Sequence, residues 1–383
     1  MRYDWQLVKL EDIAEIERGK FSVRPRNDPK YYGGDIPFLQ TGDVANSSGI
    51  VTSCTQTLNK EGLKVSKYFP AGTLLITIAA NIGDVAEIAF GFACTDSLVA
   101  VQPKKGVNKD WLKYFLQTQK SYFESRSTQN AQANINLQII KPLHVPLPSQ
   151  KEQTAIANLL LTWDHVIKKT EHLIAAKENQ YLWLLSNLIS NDKHQHAHIR
   201  NFSSEVSTRN NGTAIDLILS VTNNRGFVLP SDQFERRVAS SDLSNYKIVT
   251  RGQYAYNPSR INVGSIARLD GWDKGVLSPM YVVFELNEKK VNSDFFLHWL
   301  ESHEAKAHIR NSAQGSVRET VSFTDLGAIS FPLPSLNKQN TIAAILKTAR
   351  QEIDLLKRQL EAYRQQKRGL MQKLLTGQWR VKK

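Results

Sequence analysis

The chain contains one tetrapeptide twice, and a long helical pattern follows each copy. The sequence Pro-Leu-Pro-Ser occupies residues 146–149 and again residues 332–335, at an offset of 186. After each copy, apolar residues recur alternately three and four positions apart, which is the spacing of a coiled-coil seam. The predicted seam of the first helix comprises Ile156, Leu160, Trp163, Ile167, Thr170, Ile174, Lys177, Tyr181, Leu184 and Leu188. The equivalent seam of the second helix comprises Ile342, Leu346, Ala349, Ile353, Leu356, Leu360, Tyr363, Lys367, Leu370 and Leu374. Two matched heptad helices in one chain are most simply each other's partners.

Two unrelated amphipathic surface helices are the alternative interpretation of this pattern. They would not explain why other positions also coincide at the same offset, as Gln153 and Gln339 do. We therefore predict two helices that pack against each other, the first from about residue 151 to about residue 190. The second helix is expected to stop at Gly377, because glycine readily adopts the left-handed conformation that ends helices.

The helices divide the chain into domains. Residues 1–145 and 191–331 are predicted globular regions, and residues 146–190 and 332–383 are the helical segments that follow them, while residues 191–198 read as a polar linker without regular structure. Each globular region has the same order of strand, turn, strand, apolar strand and aromatic-rich helix. The equivalent segments are 72–86 and 252–267, then 97–102 and 281–286, then the helices around Trp111 and Trp299. The predicted fold class is α+β, with two mixed α/β domains joined by two long helices in a pseudo-twofold tandem repeat.

The charge of the chain favours a polyanionic partner. It carries 49 Lys and Arg against 36 Asp and Glu, a formal net charge of +13 over 383 residues, and nucleic acid is the commonest such partner. The basic residues are densest in residues 342–383, where the solvated outer face of a coiled coil is the other explanation. Cys54 and Cys94 form no spaced pair, and no stretch reaches the roughly 20 apolar residues of a membrane span. We expect a reduced, cytoplasmic protein.

Linear motifs of catalysis are missing or incomplete. No Gly-x-x-x-x-Gly-Lys-[Ser/Thr] pattern occurs, and Gly91 lacks the second glycine of a dinucleotide-binding loop. Residues 257–260 begin like the Asn-Pro-Pro-aromatic motif of adenine methyltransferases, but they end in arginine where an aromatic ring would stack the base. The alternate histidines His194, His196 and His198 lack Cys or carboxylate partners at the spacing of zinc ligands. The sequence thus predicts no catalytic and no metal site, although catalytic residues distant in sequence would leave no such motif.

The globular regions offer instead polar and basic side chains in predicted loops. Arginine pairs with guanine, and asparagine or glutamine with adenine, through two hydrogen bonds in the major groove, each pairing worth about 1–3 kcal/mol of discrimination. The candidates in the first region are Arg18, Lys20, Arg24, Arg26, Gln40, Thr41, Asn46, Arg126, Gln129 and Asn130. The candidates in the second region are Asn223, Asn224, Arg225, Tyr256, Asn257, Arg260, Asn262, Gln314 and Arg318. A solvated loop is the alternative for any single residue, but the set as a whole favours contact with DNA.

Together these features resemble the specificity subunits of Type I restriction–modification systems, which serve host defence. The resemblance rests on the tandem organisation, the opening at residues 5–13, the strand segments that begin at Gly72 and Gly252, and the two copies of the motif Pro-Leu-Pro-Ser-x-x-x-Gln-x-x-Ile-Ala. It covers essentially the whole chain. Within this motif, the second copy has Lys338 where the first copy has Glu152.

The resemblance implies a noncatalytic reader of a bipartite, asymmetric site in double-stranded DNA. Each globular region would be a target recognition domain for one half-site, and the helices would form an antiparallel coiled coil that measures the spacer. The resemblance also implies methyltransferase subunits, two for each chain, and restriction subunits as partners. S-adenosylmethionine, ATP and magnesium would bind to those partner subunits and not to this chain.

Three alternatives remain open at this point. One is the specificity subunit of a Type IIG or IIB-like system, in which a single partner combines methyltransferase and nuclease. Another is a DNA methyltransferase or nuclease in its own right. The third is a coiled-coil adaptor that binds no DNA, which would leave the duplicated polar loops without a purpose.

Overall fold

Contacts divide the chain into two compact units. The structure, a computed structural model, describes residues 5–127, 134–190, 194–211, 215–230, 242–314 and 320–381. One unit comprises Met1–Thr170 with Gln359–Lys383, and the other comprises Glu171–Arg358. Two long helices, Gln150–Leu188 and Leu336–Leu375, agree with the helices predicted from the repeat. Each long helix contributes one part to each unit.

The first unit is a mixed α/β domain with one part of each long helix. Its strands are Gln6–Lys9 (β1), Ala14–Arg18 (β2), Tyr32–Leu39 (β3), Ile50–Val51 (β4), Gln56–Leu58 (β5), Tyr68–Phe69 (β6), Leu74–Thr77 (β7), Val85–Ile88 (β8), Phe92–Cys94 (β9), Leu98–Pro103 (β10) and His144–Leu147 (β11). Its helices are Leu10–Ile13 (α1), Thr41–Ala45 (α2), Lys60–Lys64 (α3), Lys109–Thr118 (α4), Lys120–Ser125 (α5), Leu137–Ile140 (α6) and the first part of Gln150–Leu188 (α7). One sheet has the strand order β2-β10-β7-β8-β4, another has the order β5-β3-β9-β6, and β1 pairs with β11.

The helix α4 packs the first domain against the long helix. It starts where the side chain of Asn108 accepts a hydrogen bond from the Trp111 amide, which makes Asn108 an N-cap. Apolar residues then recur on one face of the helix, so that Trp111, Leu112 and Phe115 are buried. These side chains belong to one hydrophobic cluster with Leu160 of α7. The main core of the unit therefore attaches the domain to the long helix.

The second unit repeats this architecture. Its strands are His196–His198 (β12), Ser203–Val206 (β13), Ser220–Thr222 (β14), Gly226–Val228 (β15), Lys247–Thr250 (β16), Tyr254–Tyr256 (β17), Ile266–Arg268 (β18), Lys274–Leu277 (β19), Val282–Leu286 (β20) and Ser330–Pro332 (β21). Its helices are Ser293–Glu301 (α8), His303–Gln314 (α9), Phe323–Ala328 (α10) and the first part of Leu336–Leu375 (α11). The order β13-β20-β17-β18 reproduces the order β2-β10-β7-β8, and β12 pairs with β21 as β1 pairs with β11. The predicted tandem repeat of mixed α/β domains is confirmed.

One expectation about the segment between the domains fails at its last three residues. Residues 191–198 read as a linker without regular structure, but His196–His198 form the strand β12. This strand pairs with β21 in antiparallel register, and beside it the Leu333 amide donates to the Gln195 carbonyl at 2.7 Å. Backbone pairing with a distant strand therefore overrides the polar composition of the segment.

In the first unit the two long helices run antiparallel. As residue numbers rise along α7, the numbers of the partners on α11 and its tail fall, since Glu152 binds Arg380 and Asp164 binds Lys367. The predicted seam residues that are buried here are Ile156, Leu160, Leu360 and Leu374. The half-buried ones are Trp163, Ile167, Thr170, Tyr363, Lys367 and Leu370.

In the second unit the remaining parts of the same helices also run antiparallel. Lys177 binds Glu352 at 2.9 Å, and the ring of Tyr181, further along α7, faces Arg350, which comes earlier on α11. The predicted seam residues that are buried here are Ile174, Tyr181, Ile342, Leu346 and Ile353. The half-buried ones are Lys177, Leu184, Leu188, Ala349 and Leu356. Leu185 and Ile189, which the heptad pattern does not include, are also buried, because the apolar stripe widens where the domain core packs on the helix.

A buried glutamine follows each Pro-Leu-Pro-Ser turn, which explains why this residue recurs in both copies. Gln153, only 2% exposed, accepts a hydrogen bond from the Asn108 amide at 2.7 Å and donates one to the Pro148 carbonyl at 2.9 Å. Gln339 makes the same two contacts in the second unit, with the Asn292 amide and with the proline carbonyl, both at 2.8 Å. We call these two residues the glutamine clips. Each clip ties the cap of a domain helix to the start of a long helix.

Candidate nucleic-acid interface

Basic side chains gather at the end of β2 in the first unit. The strand ends at Arg18, and the loop after it carries Lys20, Arg24 and Arg26 in exposed positions. Arg26 donates to both carboxylate oxygens of Asp96 at 3.0 Å, and the guanidinium of Arg18 lies 4.0 Å from the same carboxylate. One carboxylate thus faces two guanidinium groups. This edge therefore keeps a positive charge, which favours phosphate or guanine.

Gln40, Thr41 and Asn46 lie around the short helix α2. Gln40 precedes the helix, and its side-chain amide donates to the side-chain oxygen of Gln56 at 2.6 Å. Gln40 and Arg26 both line a groove of about 440 Å³. Gln40 and Asn46 also line a second groove of about 450 Å³. Gln40 therefore connects two concave surfaces that carry amide and guanidinium groups.

The remaining candidates of the first domain are set apart from these grooves. Arg126 follows α5, and its guanidinium lies 5.3 Å from the ring centre of Tyr122. It is not part of the lining of either groove around Gln40. Gln129 and Asn130 lie outside the described residues.

In the second unit, two polar turns meet at one surface. The turn between β14 and β15 carries Asn223, Asn224 and Arg225, and the connection between β17 and β18 carries Asn257, Arg260 and Asn262. A groove of about 620 Å³ is lined by Asn223, Asn257 and Arg260 among others. A larger groove of about 1010 Å³ is lined by Asn223, Arg225 and Asn262 among others. Asn223 therefore stands between two grooves, both lined by amide and guanidinium groups.

The backbone of the second turn is held by a glycine and a buried serine. Gly264 has a φ of +93°, a left-handed conformation that favours glycine, and it ends the short turn Ile261–Val263. The hydroxyl of Ser265, which is buried, donates to the Val221 carbonyl of β14 at 2.9 Å. This bond ties the two polar turns together, so their side chains are presented in a defined arrangement.

Tyr256 is a core residue and not a candidate DNA contact. It was predicted as one of the polar side chains of a loop, but its side chain is fully buried and its ring centroid lies 6.2 Å from that of Phe284. Burial also raises the pKa of its phenol. The side chain of Gln314 and the whole of Arg318 lie outside the described part of the second domain.

Two basic residues of α9 were not predicted from the sequence, although they line the larger groove. Lys306 and Arg310 are four residues apart, so they share one face of the helix beside the buried Ile309. Their spacing on an amphipathic helix is the signal that was available in the sequence. With Arg225 and Arg268, they give the larger groove four basic side chains against the two carboxylates of Asp270 and Glu301.

Metal-binding clusters and membrane-spanning helices are absent from the described residues. Among them, no group of three or more His, Cys, Asp and Glu side chains is arranged to hold a metal ion. Within the same parts of the chain, no helix is long and apolar enough to cross a membrane. Burial raises the pKa of the Cys94 thiol to about 12, so this thiol is protonated at neutral pH and is a weak nucleophile.

A model of one known family matches most of the chain. The family model for the Type I restriction modification DNA specificity domain matches residues 3–180 and 241–362. The chain therefore belongs to the Type I restriction–modification DNA specificity family, and it is a DNA-recognition specificity subunit.

Individual relatives cover the chain to different extents. The Type I restriction enzyme MjaVIII specificity subunit of Methanocaldococcus jannaschii is 21% identical over 415 residues, which covers 99% of this chain and 94% of that protein. The MjaIX specificity subunit of the same organism is 29% identical over 184 residues, and that match covers 47% of this chain and 41% of the relative. The crystal structure of a Type I restriction-modification system S subunit from M. genitalium gives a TM-score of 0.58 at 16% identity, covering 98% of this chain and 96% of that one. At such low identity the structural similarity shows the fold alone.

Proposed function

We propose that the chain reads a bipartite sequence in double-stranded DNA, with one target recognition domain for each half-site. The domains would be residues 1–145 and 191–331. The observation that carries the proposal is the clustering of Arg, Asn and Gln side chains on turns that line grooves, around Gln40 in one domain and around Asn223 in the other. These side chains carry the hydrogen-bonding groups that distinguish guanine from adenine in the major groove. Because the two domains present different residues, we expect an asymmetric site.

The two long helices would set the number of unread base pairs between the half-sites. They contain 39 and 40 residues, so each is about 60 Å long at about 1.5 Å per residue. Their seam depends on apolar packing and not on the loops of the domains. The spacer length would therefore stay constant when a domain changes its specificity.

Catalysis would belong to partner subunits in the cytoplasm. Methyltransferase subunits, two for each chain, would bind S-adenosylmethionine, and restriction subunits would use ATP and magnesium. The outer faces of the helices offer apolar anchors for such subunits, since Trp183 is 62% exposed and Leu355 is 59% exposed. Exposed tryptophan is a frequent anchor of protein interfaces.

The proposal is tested first with the purified chain. It should bind DNA that carries its site and leave that DNA chemically unchanged. With six or more phosphate contacts, affinity measured by fluorescence anisotropy should fall roughly 1,000-fold between about 50 and 200 mM salt. Incubation with DNA and labelled S-adenosylmethionine should give no methylated product. Methyl transfer by the chain alone would contradict the noncatalytic role.

A second test addresses the grooves. Asn223→Ala should weaken binding by about 1–3 kcal/mol and relax the preference at one position of one half-site. Asn179→Ala, on the exposed face of α7, is the matched control and should leave binding unchanged. Equal effects of the two substitutions would mean that the grooves of the second domain are not the reading surface.

A further inference from the structure

In each unit a polar cluster around a buried tyrosine connects the domain to both long helices; we call these clusters the first and second joints. The first joint consists of Tyr114 on α4, Asp164 on α7 and Lys367 on α11. The Tyr114 hydroxyl donates to one oxygen of the Asp164 carboxylate at 2.5 Å, and the Lys367 ammonium binds the other oxygen. The same ammonium lies 5.0 Å from the centre of the Tyr114 ring. Burial and the neighbouring carboxylate raise the pKa of Tyr114, so its hydroxyl stays a donor.

The second joint consists of His298 and Glu301 on α8, Tyr181 on α7 and Arg350 on α11. The Tyr181 hydroxyl donates to the Glu301 carboxylate at 2.5 Å, and Arg350 binds that carboxylate too. The guanidinium carbon of Arg350 lies 4.4 Å from the centre of the Tyr181 ring. Because the tyrosine has only one hydroxyl hydrogen, the 2.9 Å contact with the ring nitrogen Nδ1 is a bond that His298 donates.

The repeat places the joints at equivalent positions of the long helices but gives them different chemistry. At the offset of 186 residues, Asp164 corresponds to Arg350, and Tyr181 corresponds to Lys367. The long helices therefore supply an acid and a base to the first joint. They supply a base and a phenol to the second.

The domain helices α4 and α8 also carry different side chains at the joints, and these side chains complement those of the long helices. Their asparagine caps align α4 with α8, and in this alignment Tyr114 corresponds to His298 and Gln117 corresponds to Glu301. The first domain thus brings only neutral side chains at these two positions. The second domain brings the carboxylate of Glu301, which the long helices do not supply to the second joint.

We propose that the joints are a pairing code, in which each joint accepts only a domain helix with complementary residues. A helix with a glutamate at the Gln117 position would place a second carboxylate beside Asp164 in the first joint. A helix without the glutamate would leave Arg350 without its carboxylate in the second joint. Loss of a partner is destabilising, because the side chains of Asp164, Arg350 and Glu301 are only 39–42% exposed and water compensates their charges only in part. The order of the two domains along the chain, and the order of any half-sites they read, is then fixed by these side chains. The proposal concerns assembly and does not rest on the DNA contacts.

The test transplants the second joint into the first within the full chain. One variant changes the domain side, Tyr114→His with Gln117→Glu, and another changes the helix side, Asp164→Arg with Lys367→Tyr. Each of these variants should lower the thermal unfolding midpoint by about 2–4 °C. The variant with all four substitutions should recover most of that loss, because it recreates the complete second joint. Recovery on combination is a result that independent structural roles of the four residues would not give.

Two controls separate the code from simpler effects. Gln117→Ala alone, which adds no charge, measures the loss of the hydrogen bond that Gln117 donates to the Val85 carbonyl at 3.1 Å. Tyr114→Phe measures how much the Tyr114 hydroxyl contributes to the thermal unfolding midpoint, without changing any charge. If the two-residue variants fail to fold and the four-residue variant folds, the pairing code is supported. A four-residue variant that is as unstable as the two losses added together, or that does not fold, would overturn it.

Discussion

The glutamine clips should stabilise the fold far more than surface glutamines of the same helices. Gln339 accepts a hydrogen bond from the Asn292 amide at 2.8 Å, and it donates to the Pro334 carbonyl at 2.8 Å and to the Lys290 carbonyl at 3.2 Å. Its side chain is 0% exposed, so water does not replace these bonds when the side chain is removed. The substitution Gln339→Ala therefore leaves at least one amide and one carbonyl without partners.

The expected loss follows from the cost of unsatisfied polar groups. Each buried group that loses its partner costs about 1–3 kcal/mol. Two such groups would give about 2–6 kcal/mol, and we expect about 3 kcal/mol because the Asn292 amide is only partly buried. Gln351→Ala, at an exposed position of the same helix, is the matched control and should change the free energy of unfolding by less than about 0.5 kcal/mol.

Two assays report this loss. Urea unfolding of the full chain, followed by circular dichroism, gives the change in the free energy of unfolding. Hydrogen exchange of the peptide that contains Asn292 should become about 100-fold faster in Gln339→Ala, since about 1.4 kcal/mol corresponds to a factor of ten. The peptide around Asn108, which is held by Gln153, should be unaffected, and Gln153→Ala should give the reverse pattern. Equal effects of Gln339→Ala and Gln351→Ala, or equally faster exchange at both caps, would refute the reasoning.

Three other outcomes are expected. Burial lowers the pKa of His298, so the folded chain keeps a neutral ring while the unfolded chain takes up a proton below about pH 6.5. The free energy of unfolding should therefore fall from pH 7.5 to pH 5.5. If His298→Gln shows the same dependence of this free energy on pH, His298 is not the cause. Leu160→Asp, at a fully buried seam position, should destabilise the chain by several kcal/mol, which is about the cost of an uncompensated buried charge. Arg358→Ala, at an exposed position, should be nearly neutral. Similar unfolding midpoints of the two variants would mean that the seam is misassigned. Inserting one heptad after Lys168 and one after Asp354 lengthens each long helix by roughly 10 Å, or about three base pairs; methylation at the parental spacing by a folded variant would show that the helices do not measure the spacer.

The long helices and the order of strands were predictable because their signals are local and repeated. A seam of apolar residues needs only the sequence spacing of the helix itself, and the offset of 186 residues relates it to a second copy. The coincidence of Gln153 and Gln339 was visible in the sequence as well. Its cause, a buried amide that joins a turn to the cap of a domain helix, required the structure.

The joints and part of the interface were not predictable because tertiary contacts determine them. Tyr114 and Asp164 are separated by 50 residues, and Asp164 and Lys367 by 203 residues, so no pattern of spacing connects them. Tyr256 has the composition of a loop contact around it, but the packing of β17 turns its ring into the core. Lys306 reaches the larger groove only because α9 packs beside the second polar turn.

Independent reading by the two domains is tested most directly by exchanging one of them. Residues 6–147 are replaced by the corresponding domain of another family member that has a tyrosine at the Tyr114 position and a neutral residue at the Gln117 position. The chimera is expressed with its methyltransferase subunit, and the methylated sites of the host are identified by sequencing. We predict that one half-site changes while the other half-site and the spacer length stay the same. A change in both half-sites would contradict independent reading and would show that the two domains recognise DNA jointly.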